Sequence, residues 1–62
     1  MLLLQSLRNE KGYTQLEVAS KIGISDRAYR NIEHGKSKPS YAVSMNLQSL
    51  FNESIIKLLD TV

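Results

Sequence analysis

The sequence predicts an all-α fold built from five short helices. Only three glycines and one proline interrupt 62 residues, so few backbone breaks are available. Apolar residues recur three and four positions apart, which is the spacing of one helix face. No run alternates apolar with polar residues, as a half-buried strand would. A chain of this size buries about 60% of its unfolded surface. That suffices for one small core and excludes a second, so residues 1–62 read as a single domain.

Leu4 and Leu7, with Leu3 beside them, repeat at helical spacing, and Gly12 stops this first helix after Lys11. Thr14-Gln15-Leu16-Glu17 is a capping box, in which hydroxyl and carboxylate each satisfy the other residue's backbone N–H. A second helix therefore starts at Gln15 and turns Val18, Ala19 and Ile22 inward. Gly23 ends it, and Ser25 is the expected N-cap of a third helix that buries Ala28, Tyr29 and Ile32. Gly35 closes that helix. Pro39-Ser40 opens a fourth, with Tyr41, Met45 or Ser44, Leu47 and Phe51 along its stripe. Asn52 can close the fourth helix and Ser54 can cap a fifth, whose apolar face is Ile55, Leu58 and Leu59.

Composition narrows the chemistry. With 42% hydrophobic and 23% charged residues the chain is typical of soluble globular domains. There is no cysteine, which removes disulfides, thiolate nucleophiles and sulfur-ligated zinc and fits a reducing cytoplasm. The single histidine has no surrounding carboxylates with which to hold a metal. No Ser/His/Asp constellation, glycine-rich phosphate loop or carboxylate cluster is present, and little chain is left to wall a deep pocket. An enzyme, a cofactor and a small-molecule ligand are therefore not expected. The apolar start Met1–Leu4 ends at Gln5 without a basic lead-in, unlike a secretory signal. No segment approaches the roughly 20 apolar residues of a membrane span.

Net charge is +2 and the sequence pI is about 9.2. Residues 1–38 hold seven of the eight Lys/Arg against four of the six acids, a balance of +3, while residues 39–62 carry −1. Within 27–38, Arg27, Arg30, Lys36 and Lys38 face only Glu33. Such a stretch is either a solvated face or the footprint of a polyanion partner. Its position decides. Helices Gln15–Ile22 and Asp26–Glu33 are joined by Gly23-Ile24-Ser25, a tight glycine-containing turn between two short helices. The turn is too short for antiparallel packing, so the helices should cross steeply. Ala19 would lie where their backbones come closest, with Ile24 plugging the core beneath. The outer face of the second helix then presents Asp26, Arg27 and Arg30, with Asn31 behind.

The run from Leu7 to Ser40 resembles the lambda-repressor-like, Cro/C1-type (XRE) helix-turn-helix family. The matching positions are Leu7-Arg8, Lys11-Gly12, Thr14-Gln15, Glu17, Ala19, Gly23-Ile24-Ser25, Ile32-Glu33, Gly35-Lys36 and Pro39-Ser40. The resemblance extends through Leu59. It implies a compact five-helix domain with the helix-turn-helix at about 15–33, binding double-stranded operator DNA as a homodimer and regulating transcription. A repressor in a prokaryotic or phage cytoplasm is the family's habit.

The resemblance assigns roles position by position. Gln15 would contact a phosphate and brace the recognition helix, and the free N–H groups of a helix N-terminus suit an anion independently. Ser25, Asp26, Arg27, Arg30 and Asn31 occupy the DNA-facing positions. Arg27 is the best base reader, since its planar fork matches guanine O6 and N7. Arg30 has the length for a base or a phosphate. Asp26 can accept from cytosine N4 or stabilise the helix N-terminus, and the second role is favoured. Asn31 can pair with adenine but lies far along the helix. Lys36 and Lys38 should track the phosphate backbone, with plain solvation a strong competitor for Lys38. His34 suits the negative end of the helix dipole. In the family a basic residue at the Arg8 position pairs with the acid at Glu33, a structural contact rather than a DNA contact.

Three positions depart from the family pattern. Gln48 replaces a small apolar residue, which predicts looser packing or exposure there. Glu53 replaces an aliphatic residue, and Asn52 replaces glycine, which Asn tolerates because it also visits the left-handed region. Helix one begins almost at Met1, which would leave Leu2 and Leu3 near the surface. Ile56, Leu59 and Val62 recur at helical spacing near the C-terminus. They form either extra core or a dimer contact, and the latter face would also serve an alternative function, that of an antitoxin-type protein-interaction module.

Overall fold

Helix boundaries in this chain are set by hydroxyl caps at the N-terminal ends. A computed structural model describes all residues, Met1–Val62, as α1 (Leu3–Lys11), α2 (Gln15–Ile22), α3 (Asp26–Glu33), α4 (Tyr41–Phe51) and α5 (Ile55–Leu58). Thr14, Ser25, Ser40 and Ser54 each hold extended backbone, and each hydroxyl accepts from the N–H three residues on. Thr14 completes the capping box, its own N–H donating to Glu17 Oε1 at 2.9 Å. That bond holds the Glu17 carboxyl below the usual carboxylate range. A hydroxyl cap of this kind is worth about 1 kcal/mol.

α1 has no such cap. Leu2 offers no side-chain acceptor, and the orphan N–H of Leu3 donates instead to the Asp60 carbonyl at 2.8 Å. Val62 N–H donates to Met1 O at 3.0 Å, and Leu2 and Thr61 form an isolated antiparallel bridge. This pairing corrects the expectation for the first residues. Leu2 and Leu3 are half-buried, and Leu2 packs against the core because the far end of the chain folds over it.

The core is centred on Leu4, Val18, Tyr29, Leu47 and Leu58, one from each helix and all fully buried. Ala19 is also fully buried, and the N–H of Ile24 reaches its carbonyl at 3.0 Å across the turn. Ile24 packs against this core from a half-buried position. The inward stripe of α4 differs from expectation. Tyr41 is 82% exposed and Met45 47% exposed. The stripe is instead Val43, Leu47, Leu50 and Phe51, with Ser44 half-buried. At 100° per residue, Tyr41 and Met45 each lie about 200° from an inward position two residues later.

Gln48 does not loosen α4. Its Oε1 accepts from Ile55 N–H at 2.8 Å, so it satisfies a backbone donor in the first turn of α5 and ties the two helices together. Asn52 makes the break between them in left-handed conformation, at φ 53°. Glu53 is half-buried, with Oε1 accepting from Ser54 N–H and lying 3.8 Å from Lys57 Nζ. Asn46 Nδ2 donates to the Ile22 carbonyl and thereby ties α4 to the end of α2. No helix is long and apolar enough to cross a membrane.

Gly23 makes the bend between α2 and α3 at φ 79°, where an added Cβ would meet nothing within 4 Å. Gly23→Ala is therefore expected to cost about 1 kcal/mol from backbone strain alone. Gly23→Asn should recover part of that loss. Urea denaturation of the three proteins checks both values.

Candidate nucleic-acid interface

The turn from α2 into α3 fixes where the basic side chains point. Gly23 ends α2 in left-handed conformation, and Ser25 Oγ accepts from Ala28 N–H at 3.1 Å to start α3. Tyr29 and Ile32 bury one side of α3. The opposite side leaves Arg27 and Arg30 exposed, with Asp26 half-buried between them and the turn. At the far end, Lys36 N–H and Ser37 N–H both donate to the Asn31 carbonyl, at 2.8 and 3.3 Å. The loop thus folds back on α3 and sets Lys36 and Lys38 in solvent beside it. His34 is the C-cap residue, its N–H bonded to the Arg30 carbonyl.

The rear of α3 is anchored through Glu33. Its carboxylate receives Arg8 Nε at 2.9 Å and Nη2 at 3.0 Å, a bidentate pair. Arg8 Nη1 donates onward to Tyr13 O at 2.8 Å. Gln15 Nε2 donates to Glu33 Oε1 at 3.1 Å. Three helices therefore converge on one side chain that is 1% exposed, with its Arg8 partner at 11%. The Tyr29 hydroxyl is enclosed beside this group without a partner at hydrogen-bond geometry. Burial, reinforced by Glu33, pushes the phenol far above its usual range, so it stays neutral. Burial on its own would raise the Glu33 carboxyl. The bonds from Arg8 and Gln15, with the Tyr29 hydroxyl alongside, outweigh it and hold Glu33 below the usual carboxylate range.

The residues singled out in the sequence separate into groups. Arg27, Arg30, Lys36 and Lys38 are exposed together on α3 and the loop behind it. Gln15 is half-buried with one amide N–H committed to Glu33, which leaves its second N–H and its oxygen free. Ser25 is exposed and engaged as a cap. Asn31 is half-buried, its carbonyl closed by the loop. Asp26 is paired with Arg30, Oδ2 to Nη2 at 2.7 Å. The sequence reading missed this ion pair, although its i,i+4 spacing was available as a signal. Ile56 and Val62 are 82% and 69% exposed, but Leu59 does not join them. α5 ends at Leu58, and Leu59 turns inward to line, with Leu2 and Ile32, a depression of about 160 Å³ under Ser37 and Lys38. No group of three or more His, Asp or Glu side chains is placed to hold a metal ion.

Comparison with known proteins follows the same outline. The sequence model of the helix-turn-helix family matches residues 4–58. The chain is 36% identical over 59 residues to a protein of Pyrococcus horikoshii named as an HTH-type transcriptional regulatory protein, covering 95% of this chain and 19% of the relative. A similarly named protein of Thermococcus kodakarensis is 33% identical over 58 residues, 94% of this chain and 18% of its own. An uncharacterized HTH-type transcriptional regulator of Bacillus subtilis is 34% identical over 56 residues, 90% of this chain and 48% of its own. The chain thus spans about a fifth of the length of the archaeal relatives and about half of the bacterial one. No solved structure gives a significant match.

Glu33→Ala would leave the Arg8 guanidinium enclosed without its counter-charge, and a loss of about 3–5 kcal/mol is expected. Thermal unfolding followed by circular dichroism reads this directly. Because the folded Glu33 carboxyl titrates below its ordinary value, its contribution is complete above the usual carboxylate range. It is lost as pH falls through the depressed folded value. The acid limb of stability should accordingly flatten in Glu33→Gln, measured by urea midpoints across acidic pH.

Proposed function

The chain belongs to the Cro/C1-type helix-turn-helix family, and from that premise we propose that it is a transcription regulator that binds specific sites in double-stranded DNA. The observation behind this reading is the exposed basic face of α3, with Arg27 and Arg30 projecting from a helix whose rear is clamped through Glu33. Arg27 reads a base edge, for which a bidentate guanine contact is worth about 1–3 kcal/mol of discrimination. Arg30 takes a base or a phosphate. The free N–H of Gln15, the lysines Lys36 and Lys38 and the helix ends hold the phosphate backbone and fix register without reading sequence. Ser25 and Asn31 border the contact, Ser25 at the entry of α3 and Asn31 toward its end. The protein acts as a binding module rather than an enzyme, in a prokaryotic cytoplasm.

The longest dimension of the fold is 25 Å, which spans about seven base pairs at ~3.4 Å per step. One copy therefore reads less than a helical turn. A homodimer on an inverted repeat doubles the footprint and adds the two half-sites on one face of the duplex. Occupying a promoter in this way blocks polymerase, and repression is the resulting mode of regulation. Ile56 and Val62 supply the exposed apolar contact between the two copies. Their exposure also favours a second reading, in which the same two side chains dock a different protein and the chain serves as an interaction module.

Selection from random duplex DNA tests the first reading. The native chain is expected to enrich an inverted repeat with half-sites about one helical turn apart. Arg27→Ala should lose or change preference at one position in each half-site. If the native chain enriches nothing at low salt, operator binding fails. Ile56→Asp should shift the sedimenting species toward monomer while leaving the helical signal intact, and an unchanged sedimentation coefficient excludes Ile56 from the dimer contact.

A further inference from the structure

His34 is the one histidine in the chain, and its ring has no part in the contacts described above. It follows α3 as the C-cap residue, with its N–H bonded to the Arg30 carbonyl, so it continues the helical turn. At about 100° and ~1.5 Å per residue, it stands about 20° from Arg27 around the axis and about 10.5 Å further along. Tyr29, Ile32 and Glu33, the buried residues of α3, centre about 190° from Arg27 on the same geometry. Arg27 and His34 therefore share one outward stripe, and both are exposed. The His34 ring enters no ion pair. Glu33 beside it is turned onto Arg8 of α1 and the neutral Gln15 of α2. Arg30 lies one turn back, Lys36 and Lys38 follow in the loop, and α4 carries no charged residue. The chain ends meet that loop through Leu2 and Leu59. They bring the Met1 amine and Asp60, whose Oδ1 accepts from Thr61 N–H.

We propose that His34 is a phosphate-binding residue of the DNA interface that acts in its protonated form, so that the chain takes up a proton as it binds a duplex. The inference rests on the DNA-binding reading above. With Arg27 on a base edge, the stripe is long enough to carry His34 across a major groove about 12 Å wide to its sugar–phosphate rim. A neutral imidazole offers a phosphate one N–H donor, whereas the imidazolium offers two donors and a charge. The end of α3 is itself a site of negative potential, which repels a phosphate and favours a cation. An imidazolium placed between the two is stabilised from both sides. Histidine is the side chain whose charge ordinarily changes between about pH 5 and 8, so this contact can be made or lost in the range where the protein works. Phosphates occur in every duplex, and the contact therefore adds affinity without preference. A purely structural role, as a partner of the helix dipole, would operate equally with or without DNA.

A random-sequence duplex is the first probe of the 62-residue chain, because it carries the phosphates without a selected site. Titrations at about pH 5.5 and pH 7.5 bracket the ordinary imidazole range and stay above that of carboxylates. The native chain is expected to bind about two- to fivefold more tightly at the lower pH, the span of an exposed ion pair. The slope of log affinity against log salt should steepen there by about one, as for one added phosphate contact. The selected site should gain by a similar factor. His34→Gln should lose both differences, while His34→Lys, charged throughout, should show the steeper slope at both pH values. Proton resonances of the single imidazole give an independent reading, and their titration midpoint should rise when duplex is bound. The inference is overturned if His34→Gln keeps the native pH dependence, which the Met1 amine would then carry. It is also overturned if the imidazole midpoint is the same with and without duplex, as a structural role requires. A gain confined to the selected site overturns it too, since the ring would then be reading a base. A native chain that binds no duplex at either pH in low salt fails the functional reading itself, a result seen before any variant is compared.

Discussion

Everything on the exposed face of α3 depends on one enclosed carboxylate. Glu33 is the last residue of α3, and it accepts from Arg8 on α1 and Gln15 on α2. A helix of eight residues has little stability of its own and takes its direction from what it packs against. The bidentate fork of Arg8 specifies that direction more narrowly than apolar packing can, because both distance and plane are constrained. Net stability is a different matter. Exchanging an enclosed ion pair for apolar groups of similar volume is often neutral or better. The pair's contribution here is orientation, and its disruption is costly mainly because a charge would be left behind without its partner.

Gln15 gives that anchor a second function. Its amide donates to the same carboxylate from the first turn of α2, so the N-terminus of α2 and the C-terminus of α3 are linked through two side chains. The capping box at Thr14 fixes the first turn of α2 from the other side. The helix end best suited to an anion and the helix bearing the arginines are therefore held in fixed relation before any partner arrives. Such preorganisation reduces the ordering that binding would otherwise require.

Local chemistry made most of the fold legible in the sequence. Thr14, Ser25, Ser40 and Ser54 are caps whose partners lie three residues away, and Gly23 and Asn52 are breaks that depend on their own backbone conformation. Periodicity located the inward faces of α2 and α3, and in α4 it found Leu47 and Phe51 but misplaced Tyr41 and Met45, which point outward while Val43 and Leu50 turn in. What stayed hidden was long-range. Nothing near Leu2 signals that Thr61 will pair with it, and nothing near Gln48 signals a bond to Ile55. Glu33 and Arg8 lie 25 positions apart, and only the family resemblance brought them together. Among the candidate interface residues, Arg27, Lys36 and Lys38 could be read from charge and spacing. The pairing of Arg30 with Asp26 was signalled by its i,i+4 spacing and went unread, whereas the inward turn of Leu59 shows only in the fold.

The bridge between Leu2 and Thr61 makes this chain almost a ring. Met1 O and Val62 N are joined by a hydrogen bond of 3.0 Å, so the backbone enters and leaves the fold at one point. A short peptide joining that point to itself would remove freedom from the unfolded chain while asking little distortion of the folded one. The continuous loop so formed could be opened elsewhere, at an exposed stretch such as the segment around Ser37, and still trace the same five helices. Chain order and fold are in that sense separable here. The architecture resides in how the helices close on one another.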